Sequence, residues 1–143
     1  MYYVTVIKHF SAAHHLRDYE GKCERMHGHT YSLQVTLEGE IQSNGMVIDF
    51  ALLKQIIKNR ILNKLDHQVL NDVVENPSTE NVVVWIWNQL CDVKKILKAE
   101  AGDPNMDQNI RKMLKKSHFE KTMRLYEIKL CETTGSCVTY RGE

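Results

Sequence analysis

The fold class predicted by this sequence is α+β: an antiparallel four-stranded sheet with two helices on one face. Three observations point there. Two N-terminal segments alternate apolar and polar residues with the period of a strand, and two central segments carry apolar residues at helical spacing. The chain then closes on two strand-like runs around Gly135. Strands, then helices, then strands segregate the helices to one side of a mainly antiparallel sheet.

The first strand is read from the opening residues, where Tyr2, Val4, Val6, Phe10, Ala12 and His14 share one face and Lys8 is the exception. A looping stretch, RDYEGKCERM, separates it from a cleaner second strand. There His27, His29, Tyr31, Leu33, Val35 and Leu37 share one face, with Gly28, Thr30, Ser32, Gln34, Thr36 and Glu38 on the other. Asn44-Gly45, between apolar residues, predicts a hairpin turn, and Asp49 a helix N-cap. Leu52, Leu53, Ile56, Ile57 and Ile61 form the stripe of the first helix, which LDHQVLN closes. ENPSTEN supplies a proline turn and a Ser78/Thr79 cap for the second helix, with Val82, Val83, Ile86, Trp87 and Leu90 inward.

Residues 94–124 are lysine-rich and weakly patterned, with a loop signal in AGDPNMDQN and a short extra helix in IRKMLKKSHFEKTM. YEIKLCETTGSCVTYRGE supplies the last two strands. We take residues 1–143 as a single domain, with 94–124 as an insertion.

Composition excludes several classes of partner. At 43% hydrophobic, 26% charged and two prolines, the chain is an ordinary globular protein. A net charge of +1 gives no basis for binding nucleic acid or a membrane surface. MYYVTVIKHF lacks the flank and apolar run of a signal peptide, and no stretch is long enough to span a bilayer. Cys23, Cys91, Cys131 and Cys137 make no CxxC pair, so free thiols in a cytoplasmic protein are expected, the last three serving as packing groups.

The chemistry is concentrated in CERMHGHTY, residues 23–31. His27 and His29 project to the same side of their strand, and His14 ends the matching face of the first. If the strands pair, three neutral imidazoles converge with one position open, the donor set of a catalytic zinc site. Hydrogen-bonded core histidines are the alternative, and His9, His15 and His118 are read that way, as surface or supporting groups. A nearby dication would lower the pKa of Cys23 and make it a base or nucleophile. Asp66-His67 is either a second catalytic pair or a helix-end contact, and Glu132 either caps a turn or anchors a ligand.

Together FSAAHHL, GKCERMHGHTY, GMVIDFALLK, LDHQVLN, ENPSTENVVVWIW and ETTGSCVTYRGE resemble the 6-pyruvoyl-tetrahydropterin synthase / 6-carboxy-tetrahydropterin synthase family. The resemblance implies the tunnelling fold, with subunit sheets joined into a trimeric barrel and two trimers stacked as a hexamer. It implies Zn2+ held by His14, His27 and His29, and Cys23 as proton-transfer residue. Asp66 and His67 would complete a triad from a neighbouring subunit. Glu132 would hold a pterin ring, with Thr79 and Glu80 bordering the pocket. The substrate implied is 7,8-dihydroneopterin triphosphate.

The Cys-x3-HGH spacing resembles the carboxy-tetrahydropterin form, which releases acetaldehyde on the way to queuosine. Glu24 superimposes ExxHGH on that pattern and resembles a subgroup making 6-hydroxymethyl-dihydropterin for folate synthesis; a solvated loop charge is the plainer alternative. Lys22 and Arg25 flank the site as candidates for the triphosphate. A non-catalytic pterin- or purine-binding module is the reading from another class. It has no use for Cys23 or for Asp66-His67.

Overall fold

A computed structural model of the chain describes residues 1–17, 25–116 and 123–143. Cys23 and Glu24, together with Lys22 and His118, lie outside the described residues. Strand β1 (Tyr2–His14) and strand β2 (His27–Gly39) pair antiparallel along their whole lengths, from Tyr2 opposite Gly39 to His14 opposite His27. Strand β4 (Arg124–Thr133) adds to β2, and β5 (Ser136–Tyr140) adds to β4, both antiparallel.

At the other edge a two-residue strand β3 (Gln68–Val69) pairs parallel with Ala12 and Ala13. The α+β class stands, but the sheet has five strands in the order β3-β1-β2-β4-β5, not the four expected. Two residues cannot express an alternating pattern, so β3 leaves no periodic trace in LDHQVLN.

The helices also outnumber the two main ones and the short extra one expected in IRKMLKKSHFEKTM. Helix α1 (Phe50–Ile57) runs through a π-helical stretch, Lys58–Leu62, into the short α2 (Asn63–Leu65). Helix α3 (Thr79–Leu90) follows, then α4 (Val93–Ala101) and α5 (Gln108–Lys116), the last falling where the short extra helix is expected. Local chemistry sets the starts: Asp49 accepts the Ala51 and Leu52 amides at 2.7 and 3.2 Å, and Ser78 accepts the Asn81 amide at 3.2 Å.

Helix α4 is less featureless than its lysines suggest. Val93, Ile96 and Leu97 are buried, while Lys94, Lys95 and Lys98 stay in solvent. At Asn44-Gly45 the turn forms, with Gly45 at φ 81° and the Gln42 amide on the Met46 carbonyl at 3.0 Å, but no strands flank it. Val47 and Ile48 instead turn into the core, Val47 so close over Gly39 that a Cβ there would meet it at 2.7 Å.

The core lies between the sheet's inner face and the helices. Phe10 stacks on Tyr31 at 4.9 Å, and Leu33, Leu130, Ile57 and Ile86 are fully buried around them. Each such side chain contributes roughly 1.5–3 kcal/mol of burial free energy. The same inner face carries the histidines, so the core itself fixes their register.

The cysteines depart from expectation. Cys131 and Cys137 are directly opposed on β4 and β5, their Cα atoms 4.0 Å apart, and they form a disulfide rather than two free thiols. Their pairing follows from the hairpin register, which a count of spacings does not express. Cys91 is free but exposed at the end of α3, not a packing group. No helix among the described residues is long and apolar enough to cross a membrane.

Candidate metal centre

The β1–β2 register brings His14 directly opposite His27, and His29 sits across from Ala12 on the same face. Each histidine offers one ring nitrogen to a group whose atoms all lie within 4.8 Å of one another. His14 is 1% exposed, and Tyr31 below it is fully buried.

The outer ring nitrogens settle the tautomers. His14 Nδ1 is 2.8 Å from the Pro77 carbonyl, and His27 Nδ1 is 2.7 Å from the Arg25 carbonyl. A carbonyl only accepts, so each Nδ1 carries the proton and each neutral ring presents a bare Nε2. Those two Nε2 atoms lie 3.0 Å apart. Two lone pairs facing at that distance repel unless a proton or a cation lies between them.

His29 Nε2 is buried with no hydrogen-bond partner. Burial holds the His29 pKa below the usual imidazole value, against the opposing pull of Glu132, and so favours the neutral ligand form. Two bare nitrogens and a third without a hydrogen-bond partner converge, a set that fits a metal ion.

Glu132 lies beside them. Its Oε2 is 3.8 Å from His29 Nε2 and 4.0 Å from His14 Nε2, and the Thr79 hydroxyl donates to it at 3.1 Å. The carboxylate offsets part of the charge that a dication would bring. A cavity of about 360 Å³ opens here, lined by His14, Thr79, Glu80, Glu132 and Ser136 among others, within the usual range for a small-molecule pocket. Thr79 is buried at the start of α3, and Glu80 next to it is exposed.

Asp66 and His67 are held at the sheet edge instead of in this cluster. Asp66 Oδ1 accepts the Ser11 amide at 3.0 Å and the His67 ring nitrogen Nδ1 at 2.9 Å. The bond from Ser11 keeps the Asp66 carboxyl below its usual pKa. His67 sits at φ 59°, an uncommon left-handed conformation, with its side chain 82% exposed. Arg25 is exposed just before β2, where its carbonyl receives His27.

The supporting shell was not among the residues the sequence picked out. Asn71 clasps the His15 backbone from both sides, its Oδ1 accepting the amide and its Nδ2 donating to the carbonyl, each at 3.0 Å. Asn76 accepts the Arg17 amide at 2.9 Å. These contacts tie the segment after β1 to the segment before α3 across more than 50 residues of chain. The one sequence signal was Asn76-Pro77, a turn-forming pair, which says nothing of what its carbonyls face.

Residues 3–106 match the model of a family described as 6-pyruvoyl tetrahydropterin synthase. A putative 6-carboxy-5,6,7,8-tetrahydropterin synthase of Archaeoglobus fulgidus is 38% identical over 98 residues, covering 66% of this chain and 84% of its own. A dihydroneopterin monophosphate aldolase of Pyrococcus furiosus is 46% identical over 77 residues, 54% of this chain and 64% of the relative. The solved structure of Caenorhabditis elegans 6-pyruvoyl tetrahydropterin synthase superposes with a TM-score of 0.70 at 28% identity, covering 100% of this chain and 98% of the other.

Proposed function

The chain belongs to the 6-pyruvoyl tetrahydropterin synthase family, and from that premise we propose that it is a zinc-dependent 6-carboxy-5,6,7,8-tetrahydropterin synthase. It converts 7,8-dihydroneopterin triphosphate to 6-carboxytetrahydropterin, acetaldehyde and triphosphate, a lyase step toward queuosine and other 7-deazapurines. One observation carries this reading: three imidazole nitrogens lie within 4.8 Å of one another, those of His14 and His29 within 4.0 Å of a carboxylate tethered by Thr79. The Archaeoglobus fulgidus relative, named a putative 6-carboxy-5,6,7,8-tetrahydropterin synthase, supports the choice of product.

His14, His27 and His29 hold the zinc ion, which supplies Lewis acidity toward the hydroxyls of the substrate side chain. Glu132 accepts two hydrogen bonds from the pterin's 2-amino group and ring N–H, and Thr79 keeps its carboxylate oriented. Glu80 borders the same pocket. Cys23 removes the proton from the side-chain carbon next to a hydroxyl. Asp66 and His67 of a neighbouring subunit complete the proton path, for which the exposed, outward His67 is suited. Arg25 and Lys22 are the candidates for the triphosphate.

The assembly we propose is a homohexamer of two stacked trimers in which the sheets close into a barrel. Tyr3 and Ile7, 55% and 53% exposed on the sheet's outer face, supply apolar surface for it. We further propose that residues 1–143 act as one domain with 94–124 as an insertion, working in the cytoplasm.

A second reading keeps the site and changes the product. The Pyrococcus furiosus relative is named an aldolase, and Glu24 stands beside Cys23, so 6-hydroxymethyl-dihydropterin is the competing outcome. Incubating purified protein with dihydroneopterin triphosphate separates them. Acetaldehyde with 6-carboxytetrahydropterin is expected; 6-hydroxymethyl-dihydropterin alone, or a 6-pyruvoyl product without aldehyde, overturns the first reading.

A further inference from the structure

His14 depends on a carbonyl, and that carbonyl depends on the residue before it. Pro77 O accepts from His14 Nδ1 at 2.8 Å, and Pro77 is itself buried. Its orientation is set by Asn76, which holds φ 46°. Asn is among the few non-glycine residues that tolerate this left-handed region, and a following proline restricts its backbone further.

Three hydrogen bonds fix Asn76 in place. Its side-chain Oδ1 accepts the Arg17 amide at 2.9 Å, and its carbonyl accepts both the Ser78 amide and the Asn81 side-chain amide at 2.8 Å. Two residues further on, Ser78 caps α3 and Thr79 donates to Glu132.

We propose that Asn76 is a positioning residue that presets the metal site. Its left-handed backbone and its clasp on Arg17 aim the Pro77 carbonyl at His14 Nδ1, locking the tautomer that leaves Nε2 bare. The same turn starts α3 so that Thr79 meets Glu132. One residue thus sets both the donor nitrogen and the orientation of the carboxylate. Tyr31, whose hydroxyl is 3.4 Å from His14 Nδ1, buttresses the ring without replacing the Pro77 contact.

This inference rests on the metal-binding reading above, and its test keeps the two apart. Zn2+ affinity is measured by competition with a chromophoric chelator for the full-length protein and for Asn76→Ala, Asn76→Gly and Asn76→Asp. The metal-free proteins are compared by long-range 1H–15N NMR of the His14 ring. Asn76→Ala loses both the side-chain acceptor and the tolerance of positive φ. It is expected to bind Zn2+ roughly 10–100-fold more weakly, the range typical of lost supporting contacts, and to lose the fixed Nδ1–H pattern. Asn76→Asp, which keeps both features, is expected to restore affinity and tautomer. Asn76→Gly, which keeps only the backbone freedom, falls between.

Wild-type affinity with an intact His14 Nδ1–H signal in Asn76→Ala overturns the proposal. So does an Asn76→Asp variant that melts like wild type yet binds as weakly as Asn76→Ala. Absence of Zn2+ binding in the wild type overturns the metal reading instead.

Discussion

At His14 the two ring nitrogens have separate tasks: Nδ1 donates to Pro77, and Nε2 is left bare toward His27 and the cavity. The division needs burial as well as geometry, because in water either nitrogen is hydrated and the tautomers interconvert. Glu132 sits 3.8–4.0 Å from the Nε2 atoms of His29 and His14, and its Oε2 is held by the Thr79 hydroxyl on the wall of the pocket. The proposed function gives it the task of receiving substrate. Glu132→Gln is expected to leave Zn2+ content unchanged while raising KM roughly 10–100-fold, the cost of losing charged acceptors. Loss of zinc from that variant, read by metal analysis, would make Glu132 a ligand. The three histidines were legible in the sequence because strand periodicity alone puts them on one face. Asn76 and Pro77 were not, since what a turn carbonyl faces depends on where β1 ends.

At the scale of elements, β1 and β2 form as alternation predicts, and their register delivers the cluster. The departures share a cause: contacts between distant segments. Strand β3 exists because the turn at Asp66-His67 hydrogen-bonds to Ser11, and a helix that passes through the π-helical stretch at Lys58–Leu62 delivers that turn. Such stretches recur at functional sites. Helix α4 was hidden by its lysines because only one side of it is apolar.

The Cys131–Cys137 bond is of the same kind, a product of hairpin register. It closes a short loop, so the chain-entropy account gives it about 2 kcal/mol. Replacing both cysteines by serine is expected to lower denaturant stability by about that amount. Zn2+ affinity should not change, because every ligand lies on β1 or β2. A drop in metal affinity in the double variant would show that the hairpin supports the metal site as well.

For the whole molecule, a single chain holds the histidine cluster and Glu132 together but displays Asp66 and His67 at an exposed edge. The proposed sharing of sites between subunits accounts for this placement. Cys23→Ala and His67→Ala are each expected to be inactive alone. When mixed, unfolded and refolded together, they should recover roughly a quarter of wild-type activity by random assembly. No recovery from a correctly reassembled oligomer would place both residues in one chain's site. The central claim, three neutral imidazoles meeting at one divalent ion, is tested most directly by titrating metal-free protein with Zn2+ against a chromophoric chelator, for wild type and His29→Ala. One ion per chain in the wild type, and binding at least about 100-fold weaker in the variant, is the result expected. Equal affinity in both proteins, or no stoichiometric binding in the wild type, would contradict it.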